Sequence, residues 1–298
     1  MSRIRKENIR LADYLKAIRI YHWPKNLLVF LPAITGHLIT PESFSTLLVI
    51  FFSLSFVASG MYLMNDLLDI DNDKKHPTKK HRLIASGSLS PKNAKIISLL
   101  LIIMGLLGSF AVSFYAGILI FVYIVLIGIY SLYIKKTPFF EAFFLTLVYL
   151  LRIYIGVLAV DTGTSQWLMI FSFFFFFFLV LVKRHAELLL HLENLEDDPT
   201  GRGYQIDDIH LIQSFSVTSA LLSLLVFGLY IASPKVQALY TSPSYLWLVA
   251  SLGLLWVIDV LVLVHKGGMH HDPIVHTFTN KRSLGILLVS IIFIVLSL

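Results

Sequence analysis

Residues 44–73 read FSTLLVIFFSLSFVASGMYLMNDLLDIDND, an apolar stretch that runs directly into a cluster of acids. Phe44 to Met64 has the length and composition of a membrane-crossing helix, which needs about 20 mostly apolar residues. The run Asn65-Asp66-Leu67-Leu68-Asp69-Ile70-Asp71-Asn72-Asp73 then begins where that span should leave the bilayer. Asp66, Asp69 and Asp73 are spaced i, i+3, i+7, so on a helix they fall within about 60° of arc, with Asn65 on the shoulder. Asp71 points to roughly the opposite side. Three carboxylates on one stripe repel one another unless a cation holds them. Oxygen ligands without His or Cys suit a hard ion, Mg²⁺ above all. Lys74, Lys75, His76, Lys79, Lys80, His81 and Arg82 follow at once. Acid beside base at a membrane edge is the composition that holds a metal-bound phosphate or diphosphate.

The rest of the chain fits a membrane solvent. Of its 298 residues 57% are hydrophobic and only 14% charged, against roughly a quarter charged in soluble domains. There are no cysteines, which excludes disulfides, thiolate metal sites and thiol nucleophiles. The net charge of +6 would suggest nucleic acid in a soluble protein, but in a membrane protein the placement of charge matters more. The N-terminus is basic without an early apolar core, which argues against a cleaved signal peptide. Its Leu11 to Ile20 stretch reads as a short amphipathic helix on the membrane surface.

Hydropathy predicts nine spans, near Leu27–Ile39, Phe44–Met64, Ala94–Ser113, Tyr115–Ile134, Phe139–Val160, Trp167–Val182, Ile212–Ala232, Leu246–Val264 and Leu284–Leu298. With a cytoplasmic N-terminus, segments 1–26, 65–93, 135–138, 183–211 and 265–283, together with Lys95, hold 22 of the 24 Lys and Arg residues. That asymmetry sets the expected orientation. The expectation is an all-α integral membrane protein of the inner (cell) membrane. It is a single transmembrane catalytic domain over 1–298, with a cytoplasmic N-terminal amphipathic segment at 1–26 and cytoplasmic active-site loops at 65–93 and 183–211.

Several motifs are similar to those of the UbiA superfamily of intramembrane prenyltransferases. Asn65-Asp-x-x-Asp-x-x-x-Asp73 is followed by His76-Pro77-Thr78-Lys79-Lys80-His81-Arg82-Leu83-Ile84-Ala85-Ser86-Gly87. The resemblance extends to Arg19-Ile-Tyr21-His22-Trp23-Pro-Lys25-Asn26, to Tyr130-Ser131-Leu-Tyr133-Ile-Lys135-Lys136, and to Leu151-Arg152 with Gly156. It implies a nine-helix bundle with its active site at the cytoplasmic face. Most members carry a second aspartate-rich motif after the sixth span. Here that place reads Lys183-Arg184-His185-Ala186-Glu187-Leu188, and the later acids Glu193, Glu196, Asp197 and Asp198 have the wrong spacing to substitute.

The Lys-Arg-x-Ala-Glu-Leu version resembles the branch typified by decaprenyl-phosphate phosphoribosyltransferase. Gly203-Tyr204 and His271-Asp272-Pro273-Ile274 agree with that branch, whereas Leu83 stands where proline is expected. A prenyl diphosphate donor needs metal on two sides. A phosphoribosyl diphosphate brings a distant second phosphate, which cations suit better than another metal cage. The resemblance therefore implies a pentosyltransferase that moves 5-phosphoribosyl from 5-phosphoribosyl 1-diphosphate to a polyprenyl phosphate and releases pyrophosphate. Its product would feed cell-envelope pentose donors. Asn65, Asp66, Asp69 and Asp73 would hold Mg²⁺. The substrate-binding candidates are Lys25, Asn26, Lys79, Arg82, Tyr133, Lys135, Arg152, Lys183, Arg184 and Glu187. Glu187 would orient the cations or the ribose hydroxyls. The expected partners are the lipid bilayer and these two substrates, with no nucleic acid, and a homo-oligomer is left open.

Two rival readings stand beside this one. The first is an ordinary UbiA-type prenyltransferase acting on an aromatic or quinone precursor. The second is a transporter, but coupling acids in transporters sit near the bilayer midplane on broken helices in repeated halves, and these acids lie at one edge. Arg152 falls mid-span, where a charge costs about 2.5–3.5 kcal/mol, so it must face an internal cavity or find a partner. The phenylalanines at 173 to 178 read as lipid-facing or packed bulk rather than a prenyl wall. His265, His270, His271 and His276 follow no metal-ligand spacing.

Overall fold

The computed structural model describes residues 11–75, 79–193, 203–269 and 273–298. Among the described residues every regular element is helical. Seven helices are long and apolar enough to cross a membrane: Pro41–Leu68, Pro91–Val112, Phe114–Leu132, Phe140–Val160, Gln166–Leu190, Ile206–Ile231 and Tyr245–His265. The protein is a multi-pass membrane protein. The expected first and ninth spans differ from that description. Residues 27–39 do not form one helix, because Pro24 lies inside a 3₁₀ helix, Ile20–Phe30, and Pro32 opens a five-residue α-helix, Leu31–Thr35. Each proline lacks the N–H that a continuous ladder needs. The last helix, Lys281–Ser297, has 17 residues. The expected surface helix at the N-terminus is Leu11–Ala17, and the chain then turns through Arg19 in the left-handed region, at φ 55°.

The chain divides into two compact units. The first contains Met1–Leu132 and Leu151–Thr164, and the second contains Tyr133–Leu150 and Ser165–Leu298.

Unit 1 is organised on the Pro41–Leu68 helix. Thr40 and Ser43 form a reciprocal capping box at its start, with Pro41 at the first helical position. Its 28 residues reach about 42 Å, longer than the ~30 Å hydrocarbon layer, so the helix is long enough for an end to extend past it. The Pro91–Val112 helix packs against it at very short range. A side chain at Gly60 would strike the Ser98 carbonyl, and one at Gly105 would strike the Ser53 carbonyl. Small residues allow this approach between membrane helices, where lipid is as apolar as the core. Ser98 Oγ completes the seam by donating to the Gly60 carbonyl at 2.8 Å.

The 3₁₀ segment is held on the same helix. Trp23 Nε1 donates to Ser59 Oγ at 3.0 Å, Ser59 Oγ donates to the Ile18 carbonyl at 2.6 Å, and the Trp23 ring lies edge-on to Phe51, Phe52 and Phe56. From the other side Gly156 meets it, since a Cβ there would run into the Val29 carbonyl. Gly156→Ala is therefore expected to lower stability by about 1–3 kcal/mol, the usual cost of overpacking. Gly128→Ala, with nothing near its Cβ position, is expected to be neutral or stabilising. Thermal unfolding in detergent compares the two.

Unit 2 has a core of Ala142, Val180, Leu181, Leu188, Tyr204 and Ile212, with Phe139, Leu145, Tyr149, Phe177 and Ile209 against it. The phenylalanine run is largely packed inside this unit. Phe176 stacks on Tyr149, Phe175 and Phe178 lie against Trp256, and Phe178 is fully buried.

Candidate active site

The acidic end of the Pro41–Leu68 helix is not one continuous helix. Asp69 caps it, and a second short helix, Ile70–Lys75, follows. The backbone nevertheless stays helical in direction, with Asp69 N–H bonded to the Asn65 carbonyl at 3.0 Å and Asp73 N–H to the Asp69 carbonyl at 2.8 Å. Asp66 and Asp73 consequently remain on one side, 6% and 4% exposed.

Buried carboxylates need compensating charge, and two arginines supply it. Arg82 Nη1 lies between the two acids, 3.0 Å from Asp66 Oδ1 and 2.8 Å from Asp73 Oδ2. Arg19 Nη2 donates to that same Asp66 oxygen at 2.6 Å, with its guanidinium over the Tyr62 ring. Asn65 Nδ2 donates to Asp69 Oδ2 at 3.1 Å. Asp71 lies apart, its side chain 94% exposed beside Lys74. Among the described residues no three acids or imidazoles stand close enough to hold a metal by themselves. The donors fit Mg²⁺ in another way: that ion is usually bound by one or two carboxylates, with phosphate oxygens and water completing the shell.

A second polar network in unit 1 surrounds the intramembrane Arg152, which is 6% exposed. Its Nε donates to Asn26 Oδ1 and its Nη2 to the Tyr123 hydroxyl, both at 3.0 Å, while Asn26 Nδ2 donates to Ser55 Oγ at 3.0 Å. Lys25 is half-buried next to Asn26, and Lys79 is exposed at the start of the short 3₁₀ turn Lys79–His81.

In unit 2 the candidates surround a buried ion pair. Arg184 is 3% exposed and Glu141 is fully enclosed. Arg184 Nε lies 2.6 Å from Glu141 Oε1, and Arg184 Nη1 lies 2.5 Å from Glu187 Oε2. Lys183 and Lys135 are half-buried, and Tyr133 is exposed at the cap of the 3₁₀ turn Ile134–Lys136. Thus Asp66, Asp73 and Arg82 come together, as do Asn65 with Asp69, Asn26 with Arg152, and Arg184 with Glu187. His76, Pro77, Thr78, Glu196, Asp197, Asp198, His270, His271 and Asp272 lie outside the described residues.

Sequence reading missed Arg19, Glu141, Tyr204 and Tyr123 as partners. Glu141 carried a usable signal, because a lone acid at the edge of an apolar span requires a partner. Tyr123 carried none, since one tyrosine in an apolar helix is unremarkable by composition.

Comparison with known proteins adds a family. The model of the UbiA prenyltransferase family matches residues 29–280. Protein y4nM of Sinorhizobium fredii is 32% identical over 277 residues, which are 92% of this chain and 53% of that protein. Nodulation protein NoeC of Azorhizobium caulinodans is 28% identical over 284 residues, 93% of this chain and 90% of that one. Decaprenyl-phosphate phosphoribosyltransferase of Mycobacterium tuberculosis is 31% identical over 185 residues, 60% of this chain and 61% of the enzyme. The match thus spans about half of y4nM and three fifths of the mycobacterial enzyme. Among solved structures, a UbiA homolog from Archaeoglobus fulgidus bound to GPP and Mg²⁺ superposes with a TM-score of 0.68 at 13% identity. The superposition covers 95% of this chain and 97% of that one, so the two share a fold.

Proposed function

Because the chain belongs to the UbiA prenyltransferase family, we propose that it is an intramembrane transferase that moves 5-phosphoribosyl from 5-phosphoribosyl 1-diphosphate to a polyprenyl phosphate. The observation that carries this reading is the chemistry of the Lys183–Glu187 segment. Where a second acidic motif would serve a prenyl diphosphate, this chain has two cations and one glutamate. That glutamate is already bound to Arg184. Lys183 suits the extra phosphate of a phosphoribosyl donor as a point charge, while Arg184, held by Glu141 and Glu187, orients the segment. The partial match to the mycobacterial phosphoribosyltransferase supports the same donor.

In this reading Asp66 and Asp73, with Asn65 and Asp69 beside them, would hold Mg²⁺ together with diphosphate oxygens. The ion would supply charge stabilisation for the departing pyrophosphate. Arg82, between Asp66 and Asp73, and Arg19, on Asp66, offset the charge of the two buried acids and fix their orientation. Lys25 and Lys79 in unit 1, and Lys135 and Lys183 in unit 2, are each proposed as phosphate contacts, and within unit 1 Asn26 is held by Arg152. A phosphate oxygen of the acceptor forms a bond to C1 of the ribose as the C1–O bond to the diphosphate breaks. The acceptor is already anionic, so no strong base is required. The acidic helix end and the basic loops are proposed to face the cytoplasm, following the asymmetry of Lys and Arg.

The test is pyrophosphate release by purified protein. Release from 5-phosphoribosyl 1-diphosphate is expected only when both polyprenyl phosphate and Mg²⁺ are present. Consumption of a prenyl diphosphate with an aromatic acceptor, while the sugar diphosphate stays untouched, would overturn the donor assignment in favour of an ordinary prenyltransferase.

A further inference from the structure

Glu141 takes no part in the transfer just described, yet it is fully enclosed, and two distant pieces of chain, at Arg184 and Tyr204, converge on it. Arg184 grips both its oxygens, Nε at 2.6 Å and Nη2 at 3.4 Å. The Tyr204 hydroxyl lies 3.2 Å from Glu141 Oε1 and accepts from the Phe139 N–H at 3.0 Å. Tyr204 is 2% exposed, its ring edge-on to Phe139. The residue before it is Gly203, at φ 75°, where a Cβ would run into the Lys136 carbonyl. Only glycine lets this segment lie so close in that conformation. Burial pushes the Tyr204 phenol up, and the charge of Glu141 adds to the effect, so Tyr204 stays protonated and can donate.

One nitrogen of Arg184 remains for a different purpose. Nη1 holds Glu187, whose side chain is 36% exposed. A planar guanidinium can fix two carboxylates at once in set directions, which an ammonium cannot. An ionised carboxylate is an acceptor with about four lone-pair sites, so a glutamate that meets one guanidinium N–H can also accept from hydroxyl groups.

We infer that Glu141 and Tyr204 are positioning residues that act through Arg184 to present the Glu187 carboxylate to the vicinal hydroxyls of a pentose donor. This rests on the phosphoribosyl-transfer reading and gives it a source of sugar specificity. A pocket built to bind a hydroxyl discriminates strongly against a donor that lacks it, because the buried polar partner is left unmet.

The experiment compares 5-phosphoribosyl 1-diphosphate with its 2-deoxyribosyl counterpart in the wild type, Tyr204→Phe and Glu187→Gln. The wild type should favour the ribosyl donor in kcat/KM. Tyr204→Phe should raise the KM for that donor about tenfold, the scale on which supporting partners usually act, and should weaken the ribosyl preference. Its KM for polyprenyl phosphate should not change. Glu187→Gln, a change at a partly exposed position that should leave folding intact, should abolish the preference. An unchanged donor KM and preference in a folded Tyr204→Phe protein would overturn the positioning role, and a retained preference in Glu187→Gln would overturn the whole inference. A wild type that turns over neither pentose donor refutes the transfer reading itself, and the inference falls with it.

Discussion

Glu141→Ala is expected to destabilise the protein by about 3–5 kcal/mol, the usual cost of removing one partner from a buried ion pair. The substitution removes a few atoms, and the cavity is not the main loss. Arg184 would keep its charge in a site where it is 3% exposed. Glu187 would still meet one nitrogen, but the bidentate grip on Glu141 would be gone, together with the acceptor for the Tyr204 hydroxyl. A shortfall of this size is a large part of the 5–15 kcal/mol that ordinarily holds a domain folded, so the variant should melt far below the wild type in detergent or fail to accumulate. The double variant Glu141→Leu with Arg184→Met separates charge from shape. Replacing both partners by apolar groups of similar volume removes the buried unmet charge and takes Arg184 only from the partly exposed Glu187, so the double variant should melt above the single one. A single variant as stable as wild type, or a double variant no better than the single, would refute this account of the ion pair.

The same pair shows what could be read from the chain beforehand and what could not. The seven long helices follow from apolar length alone, and Asp66 and Asp73 sharing one side follows from helical spacing. Pro24 and Pro32 were visible too, but total hydropathy over 27–39 outweighed them, and the expected span is instead a 3₁₀ segment followed by a short helix. What local pattern does not carry is the long-range choice of partner. Arg19 reaches Asp66 across 47 positions, and Arg152 reaches Asn26 across 126. Period and composition say only that such charges need partners. They do not say which partner, and they do not reveal that Tyr133–Leu150 and Leu151–Thr164 belong to different compact units. Glu141 and Tyr204 belong to this class: the acid at the edge of its span signals that it needs a partner, and only the fold pairs it with Arg184 and Tyr204.

Asp66→Asn is expected to lower Mg²⁺-dependent turnover by about a hundredfold or more, because metal stabilisation of a leaving group amounts to several kcal/mol and each 1.36 kcal/mol is tenfold in rate. Asparagine keeps the shape of the side chain and one of its oxygens, so a purely steric role would survive the change. A charge role would not. Asp66 Oδ1 holds Arg19 at 2.6 Å and Arg82 at 3.0 Å, and removing its charge leaves two guanidinium groups close together with less to hold them. Asp66→Asn therefore loosens Arg19 and Arg82 as well as removing a proposed metal ligand. The Mg²⁺ dependence tells these apart: a lost ligand moves the half-saturating Mg²⁺ concentration upward, whereas disordered arginines raise the KM of the diphosphate at saturating Mg²⁺. Asp73→Asn, on the other side of Arg82 at 2.8 Å, should resemble Asp66→Asn. Asp71→Asn, whose side chain is 94% exposed, should behave as wild type. Wild-type turnover with an unshifted Mg²⁺ requirement in both Asp66→Asn and Asp73→Asn would remove the metal assignment from this stripe, and the Arg19–Asp66–Arg82–Asp73 cluster would then be a structural clasp at the end of its helix.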